Sequence, residues 1–251
     1  MDPKLLRVFC RFLRNRSYLK MGSSQFELYV KADSSGKAIG DCPFSLRTLM
    51  YSNLKVEDWP SVFKVIPVDF QNKPPEFLKL NPAGTTPVLV DKENGNVISD
   101  SGEITKYIND TFPLVDTQHG YEGQAVEAIA GIFGKLVSLL KNSDPSQTAQ
   151  LKEALTAELR KLETFLASPK HKGKYLLGNN LSELDCSLLP KLKHLLVAGS
   201  HYRNYFIPDD MVYIHKYLKN GLESTCFQAV CPPDAEFVHG WKRHGITPDS
   251  K

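Results

Sequence analysis

The chain has 251 residues, 41% of them apolar and 24% charged, with a formal net charge of +3. That length carries two domains with adequate cores, and the composition is ordinary for a soluble folded protein. Five scattered cysteines (Cys10, Cys42, Cys186, Cys226, Cys231) argue against a disulfide scaffold and for a reducing compartment; no Cys/His spacing fits a structural zinc site, and no run approaches the roughly 18 apolar residues that span a bilayer.

Residues 1–22 are a basic extension in which Lys4, Arg7, Arg11, Arg14, Arg16 and Lys20 face one acid, Asp2, among Leu5, Leu6, Phe9, Phe12 and Leu13. The rest of the chain is slightly acidic, so the positive balance is no footprint of nucleic-acid binding. The composition suits an organelle transit segment or a basic helix on a membrane, and equally a disordered leader. Met21 offers an alternative start, which gives a cytoplasmic form beside an organellar (mitochondrial or plastid) one.

Residues 23–112 alternate strand and helix. Phe26–Val30 reads as a strand, and Phe44–Leu54 as a helix whose apolar residues recur at helical spacing. Val62–Val68 reads as a strand, Pro74–Leu78 as a short helix, and Thr85–Val90 as a strand turning at Asn94-Gly95 into Val97-Ile98. Ser99–Ile108 closes the set as a helix. This order, with a cysteine at the first helix, is the outline of a thioredoxin-like domain. Residues 113–123 read as a turn-rich linker. Residues 124–251 are helical with a tail: Ala125–Lys141, Gln150–Leu166, a capped start at Ser182 with Asp185 three residues on, Leu192–Ala198 and Met211–Leu222. The fold class is therefore α/β plus all-α.

Gly40-Asp41-Cys42-Pro43-Phe44-Ser45 organises the chemistry. Cys42 sits at or just before a helix N-terminus, with Pro43 at the first helical position, where its missing N–H costs nothing. The free amides and positive dipole end there favour a thiolate over a thiol, which suits a nucleophile; the alternative is a buried inert cysteine. Ser45 stands where a Cys-x-x-Cys motif carries its second thiol, so Cys42 needs an external thiol to finish a redox cycle. Ser101 at a helix start suits a carboxylate, and Asp100 beside it an amine, unless either merely caps the helix. Pro87 after two threonines is a candidate cis-proline that would turn the Thr86 backbone towards a ligand. Lys73 could hold a second carboxylate, or be only a solubility charge.

On these residues the chain resembles the dehydroascorbate reductase and chloride intracellular channel branch of the glutathione transferase superfamily, over most of residues 26–245. The resemblance rests on Leu28–Ala32, Gly40–Ser45, Asn81–Leu89, Asp100-Ser101, Asp185–His194 and Gly240-Trp241. It implies a glutathione transferase-like fold and a glutathione co-substrate held by Phe44, Lys73, Thr86, Pro87, Asp100 and Ser101. It also implies dehydroascorbate as substrate, contacted by Lys31, Asp41, His194 and Trp241, with Cys42 as nucleophile, no metal, and a monomeric protein. Thr86 stands where the reductases usually carry Val. His194 and Trp241 favour the reductases; Lys141–Pro145, Ile207–Asp209 and Cys231–Asp234 favour the channel proteins. A spanning role for residues 42–68 looks costly, because Arg47, Lys55, Glu57, Asp58 and Lys64 each cost about 2.5–3.5 kcal/mol at bilayer depth. The expected activity is glutathione-dependent reduction of dehydroascorbate. A membrane-associating channel-like protein and a glutaredoxin-like thiol transferase are the alternatives.

Overall fold

Burial alternates along Phe26–Lys31, which forms an inner strand, β1, of a mixed sheet; the computed structural model describes residues 24–113 and 122–249. β2 (Phe63–Val68) runs parallel to β1 on one side, and β3 (Val88–Asp91) antiparallel on the other. β4 (Asn96–Ile98) pairs antiparallel with β3, giving the order β2-β1-β3-β4. Parallel β1 and β2 require a crossover, supplied by α1 (Pro43–Lys55) and a short turn of helix, α2 (Trp59–Val62). α3 (Pro75–Leu80) follows β2, and α4 (Ser101–Thr111) follows β4. The basic extension, residues 1–22, and most of the linker lie outside the described residues.

The second half is helical: α5 (Glu122–Ile129), α6 (Ile132–Lys141), α7 (Thr148–Ala167), α8 (Glu183–His194), α9 (Ser200–Arg203), α10 (Val212–Leu222), α11 (Thr225–Gln228) and α12 (Asp234–Lys242). An apolar core runs without a break from β1 through Leu46, Leu49 and Met50 of α1 into Leu188, Leu189 and Leu192 of α8. The thioredoxin-like domain and the helical domain are thus welded along α1 and α8.

Three readings of the sequence need correction. Ala125–Lys141 is two helices, because the chain turns at Ala130-Gly131. A side chain at Gly131 would collide with Glu158 of α7, and glycine is a poor helix former. Leu192–Ala198 is no separate helix; α8 continues through a π-turn, Leu195–Gly199, into α9 despite Pro190. Glu122 and Gly123, read as linker, begin α5. By length and composition Glu122–Lys141 does pass for a membrane span, yet α5 and α6 both pack on α7.

Candidate active site

Cys42 is the residue immediately before α1, with Pro43 opening the helix, no acidic side chain in the first turn, and a partly exposed side chain. Its Sγ lies 3.9 Å from the Thr86 carbonyl oxygen. The Thr86-Pro87 peptide is cis, as the sequence suggested. The loop after β1 and the entry to β3 therefore meet at Cys42, and Arg47 of α1 reaches the N-terminus of α4.

Ser101, buried at the first turn of α4, accepts a hydrogen bond from Arg47 Nη1 at 3.3 Å, which leaves its own hydroxyl proton to offer. Asp100 caps α4 by accepting from the Gly102 and Glu103 amides at 2.8 and 3.0 Å. Both bonds fall on Oδ1, so capping leaves Oδ2 for a ligand amine. Lys73 lies over the Phe70 ring, 4.6 Å from its centroid, and against Gly84 at the start of the loop that leads to Thr86. The exposed Phe44 ring meets Phe133 of α6 edge-on, so it stands where the two domains face each other beside Cys42.

The four residues expected on the substrate side form one network. Lys31 Nζ pairs with Asp41 Oδ1 at 2.6 Å, the two side chains 13% and 9% exposed, so the pair is nearly but not wholly enclosed. From α8, His194 Nε2 donates to the Asp41 carbonyl at 2.6 Å, and its Nδ1 accepts from the Trp241 indole N–H at 2.9 Å. One ring nitrogen donates and the other accepts, so the imidazole is neutral. Burial agrees, pushing its pKa down to about 4 against the opposing pull of Asp41. Phe237 and Phe133 close the ring's other edges. Both His194 nitrogens and the Trp241 N–H are spent inside the protein; the Lys31 ammonium retains N–H groups to offer outward.

Two residues of this region carried no role in the sequence reading. Arg47, one turn beyond Cys42, binds Glu183 of α8 through Nε at 3.0 Å and through Nη2, while holding Ser101. Gly240 lets α12 close on Asp41, since a Cβ there would lie inside contact distance of the carboxylate. A lone Arg at helical spacing gives no sign of its partners, and Gly240, although part of the family resemblance, gives none of its packing on Asp41.

Residues 41–111 match the family model described as the glutathione S-transferase, N-terminal domain. The chain is 35% identical over 203 residues to a probable cytosolic glutathione S-transferase DHAR1 of Oryza sativa subsp. japonica, covering 81% of this chain and 90% of that protein. It is 31% identical over 204 residues to the probable chloroplastic DHAR2 of the same plant, covering 81% and 70%. Among solved structures it resembles Chlamydomonas reinhardtii dehydroascorbate reductase, with a TM-score of 0.78 and 27% identity over 89% of this chain and all of that one. The fold is also that of a CLIC homologue, EXC-4 from C. elegans, at a TM-score of 0.71 and 22% identity, covering 91% and 89%. The chain belongs to the dehydroascorbate reductase (DHAR) branch of the glutathione S-transferase superfamily.

Proposed function

We propose that the chain is a glutathione-dependent dehydroascorbate reductase that works through the single thiol of Cys42. The observation that carries this reading is the reachable sulfur at the helix start beside the Thr86 carbonyl, with Ser45 where a resolving thiol would stand. A nucleophile without an internal partner calls for an external thiol, and the rice and algal relatives are named for a reaction of that kind.

In the first half-reaction the Cys42 thiolate adds to an electrophilic carbonyl carbon of dehydroascorbate. A glutathione thiolate then attacks Cys42 Sγ; the carbon–sulfur bond breaks with its electron pair left on the substrate, which departs as ascorbate. In the second, another glutathione attacks the glutathione sulfur of the mixed disulfide, restoring Cys42 and releasing glutathione disulfide. The Thr86 backbone aligns the tripeptide, Ser101 and Asp100 take its γ-glutamyl carboxylate and amine, Lys73 takes the glycine carboxylate, and Phe44 covers it. Lys31 and Asp41 orient the anionic product ring. His194 and Trp241 wall that side, and in this reading they act by fixing Asp41. The two plant names, one chloroplastic and one cytosolic, fit a cytoplasmic or organellar enzyme.

The test is glutathione-dependent reduction of dehydroascorbate by wild type and by Cys42→Ser. Wild-type turnover with complete loss in the Ser variant is expected, since a hydroxyl is a far poorer nucleophile than a thiolate. Turnover only on mixed disulfides would replace this reading with a general thiol transferase. Conductance in lipid without turnover would replace it with a channel-like role.

A further inference from the structure

His194 and Trp241 spend their polar atoms on each other and on the Asp41 backbone, which leaves few hydrogen-bonding groups for a ring as rich in oxygen as that of dehydroascorbate. One imidazole beside them is unspent. His244 lies in the turn that extends α12, where the Arg243 amide donates to the His239 carbonyl at 3.1 Å and the His244 amide to the Trp241 carbonyl at 3.0 Å. Helical spacing thus carries on past Lys242 and puts His244 on the same face as Gly240, one turn back. That face is the one pressed on Asp41, since a Cβ at Gly240 would fall 2.7 Å from Asp41 Oδ1. Helical side chains lean towards the N-terminus and cover the turn before their own Cα, so the His244 ring is carried back towards Asp41 and its partner Lys31. It meets the Trp241 ring with centroids 5.7 Å apart, and the residue is exposed. Among the described residues no group hydrogen-bonds either of its ring nitrogens. We propose, on the reductase reading, that His244 is a further substrate-contacting residue, whose imidazole hydrogen-bonds the ring of dehydroascorbate across from Lys31 and Asp41.

The charges around this imidazole set its behaviour. Lys31 from β1 and Arg243 from its own turn face it. So does Lys141 at the end of α6, a segment that Arg203 ties to the chain beyond His244 by donating to the Leu139, Asn142 and Thr247 carbonyls at 3.0, 3.2 and 2.8 Å. Asp41 is the acid that opposes these cations. Partial burial first, and then Lys31 and Lys141, hold the imidazole below the usual 6.5, with Arg243 adding to them. At neutral pH the ring is therefore uncharged and offers one donor and one acceptor, which suits the uncharged dehydroascorbate and adds nothing to the hold of Lys31 on the anionic product. As pH falls through the pKa of His244, the ring gains a proton and becomes a further cation facing the ascorbate anion, so product affinity rises in acid. His194, which stays neutral down to about 4, takes no part in that change.

The test has two arms, both on the full chain. In the first, calorimetric titration measures ascorbate binding to Cys42→Ser protein, where no turnover intrudes, with and without a second change at position 244. Affinity should rise about fivefold from about pH 7.5 to about pH 5 when His244 is present, and stay level in His244→Gln. In the second, steady-state kinetics are measured with Cys42 intact near pH 7.5. His244→Ala should raise the KM for dehydroascorbate about three- to tenfold with kcat nearly unchanged, and His244→Gln, which keeps a donor and an acceptor, should recover most of the loss. A purely structural role through the Trp241 contact would not give the pH-dependent product affinity. The contact is overturned if ascorbate affinity does not change with pH while His244 is present, or if His244→Ala leaves KM unaltered. Either result with wild-type turnover intact removes His244 alone, whereas a protein that neither binds ascorbate nor reduces dehydroascorbate removes the reductase reading as well. His244 lies in an exposed turn, so both variants should keep the wild-type unfolding temperature.

Discussion

Replacing His194 by Phe removes both hydrogen bonds of the imidazole and its titration, while keeping an aromatic ring among Phe133, Phe237 and Trp241. The Asp41 carbonyl and the Trp241 N–H are then buried without partners, at about 1–3 kcal/mol each. Near pH 7 the variant should therefore lose about 2–6 kcal/mol, a large share of the 5–15 kcal/mol of a typical fold. The loss shrinks in acid, and the sign follows from which state takes up the proton. Above the ordinary 6.5 the ring is neutral whether folded or unfolded; below it the unfolded chain binds a proton that the folded protein refuses until about 4. Wild-type stability is thus full above pH 6.5 and falls as pH drops to about 4, by about 3 kcal/mol in all. Histidine-free position 194 lacks that slope, so the gap between the two proteins should narrow by about 3 kcal/mol across the window. Urea unfolding followed by tryptophan fluorescence at a series of pH values measures it, with Trp241 reporting on the contact itself. A gap that stays constant between neutral and mildly acid pH refutes the neutral, doubly bonded imidazole.

Other substitutions probe the remaining contacts. Gly240→Ala puts a methyl group into the Asp41 carboxylate, 2.7 Å from Oδ1 and closer still to Oδ2. It should destabilise by about 1–3 kcal/mol, read by thermal unfolding as about 2–4 °C per kcal/mol, and should slow dehydroascorbate turnover by displacing Asp41 from Lys31. Arg47→Met strips Ser101 and Glu183 of their shared donor; steady-state kinetics should show the KM for glutathione rising about tenfold with a smaller change in kcat, as for one lost charged hydrogen bond. An unchanged KM would make Arg47 a tie between domains and nothing more. Thr86→Val deletes a buried hydroxyl that has no hydrogen-bond partner. Turnover should be unchanged and chemical denaturation should show a gain of up to about 1 kcal/mol, because the proposed ligand contact is made by the backbone.

Local chemistry made much of this protein readable from its residues. The Cys42-Pro43 helix start and the strands around it announce themselves within a few residues, whereas the cis peptide before Pro87, a candidate in the sequence, is established by the fold. So does the Ser182/Asp185 capping box, where each side chain serves the other's backbone. What stayed hidden depends on groups far apart in the chain. His194 meets Asp41 across 153 positions, and Arg47 meets Glu183 across 136. Resemblance named His194 and Trp241, but only the hydrogen bonds reveal a neutral ring holding the Asp41 backbone from behind. Arg203 is the plainest case: buried, it donates to the carbonyls of Leu139, Asn142 and Thr247, a role that no feature of Ser200–Arg203 hints at. α11 and α12 were missed because four- and nine-residue helices give periodicity too few turns to register.

The packing of α12 on Asp41 also sets an order of events during synthesis. Cys42 leaves the ribosome well before Glu236, which holds the Ser34 backbone and hydroxyl at 2.7 Å each, and before Gly240 and Trp241. A nascent or prematurely terminated chain would present the sulfur on a half-built support, with Asp41 and His194 uncovered. The surroundings of Cys42 are thereby completed only once α12 has been made.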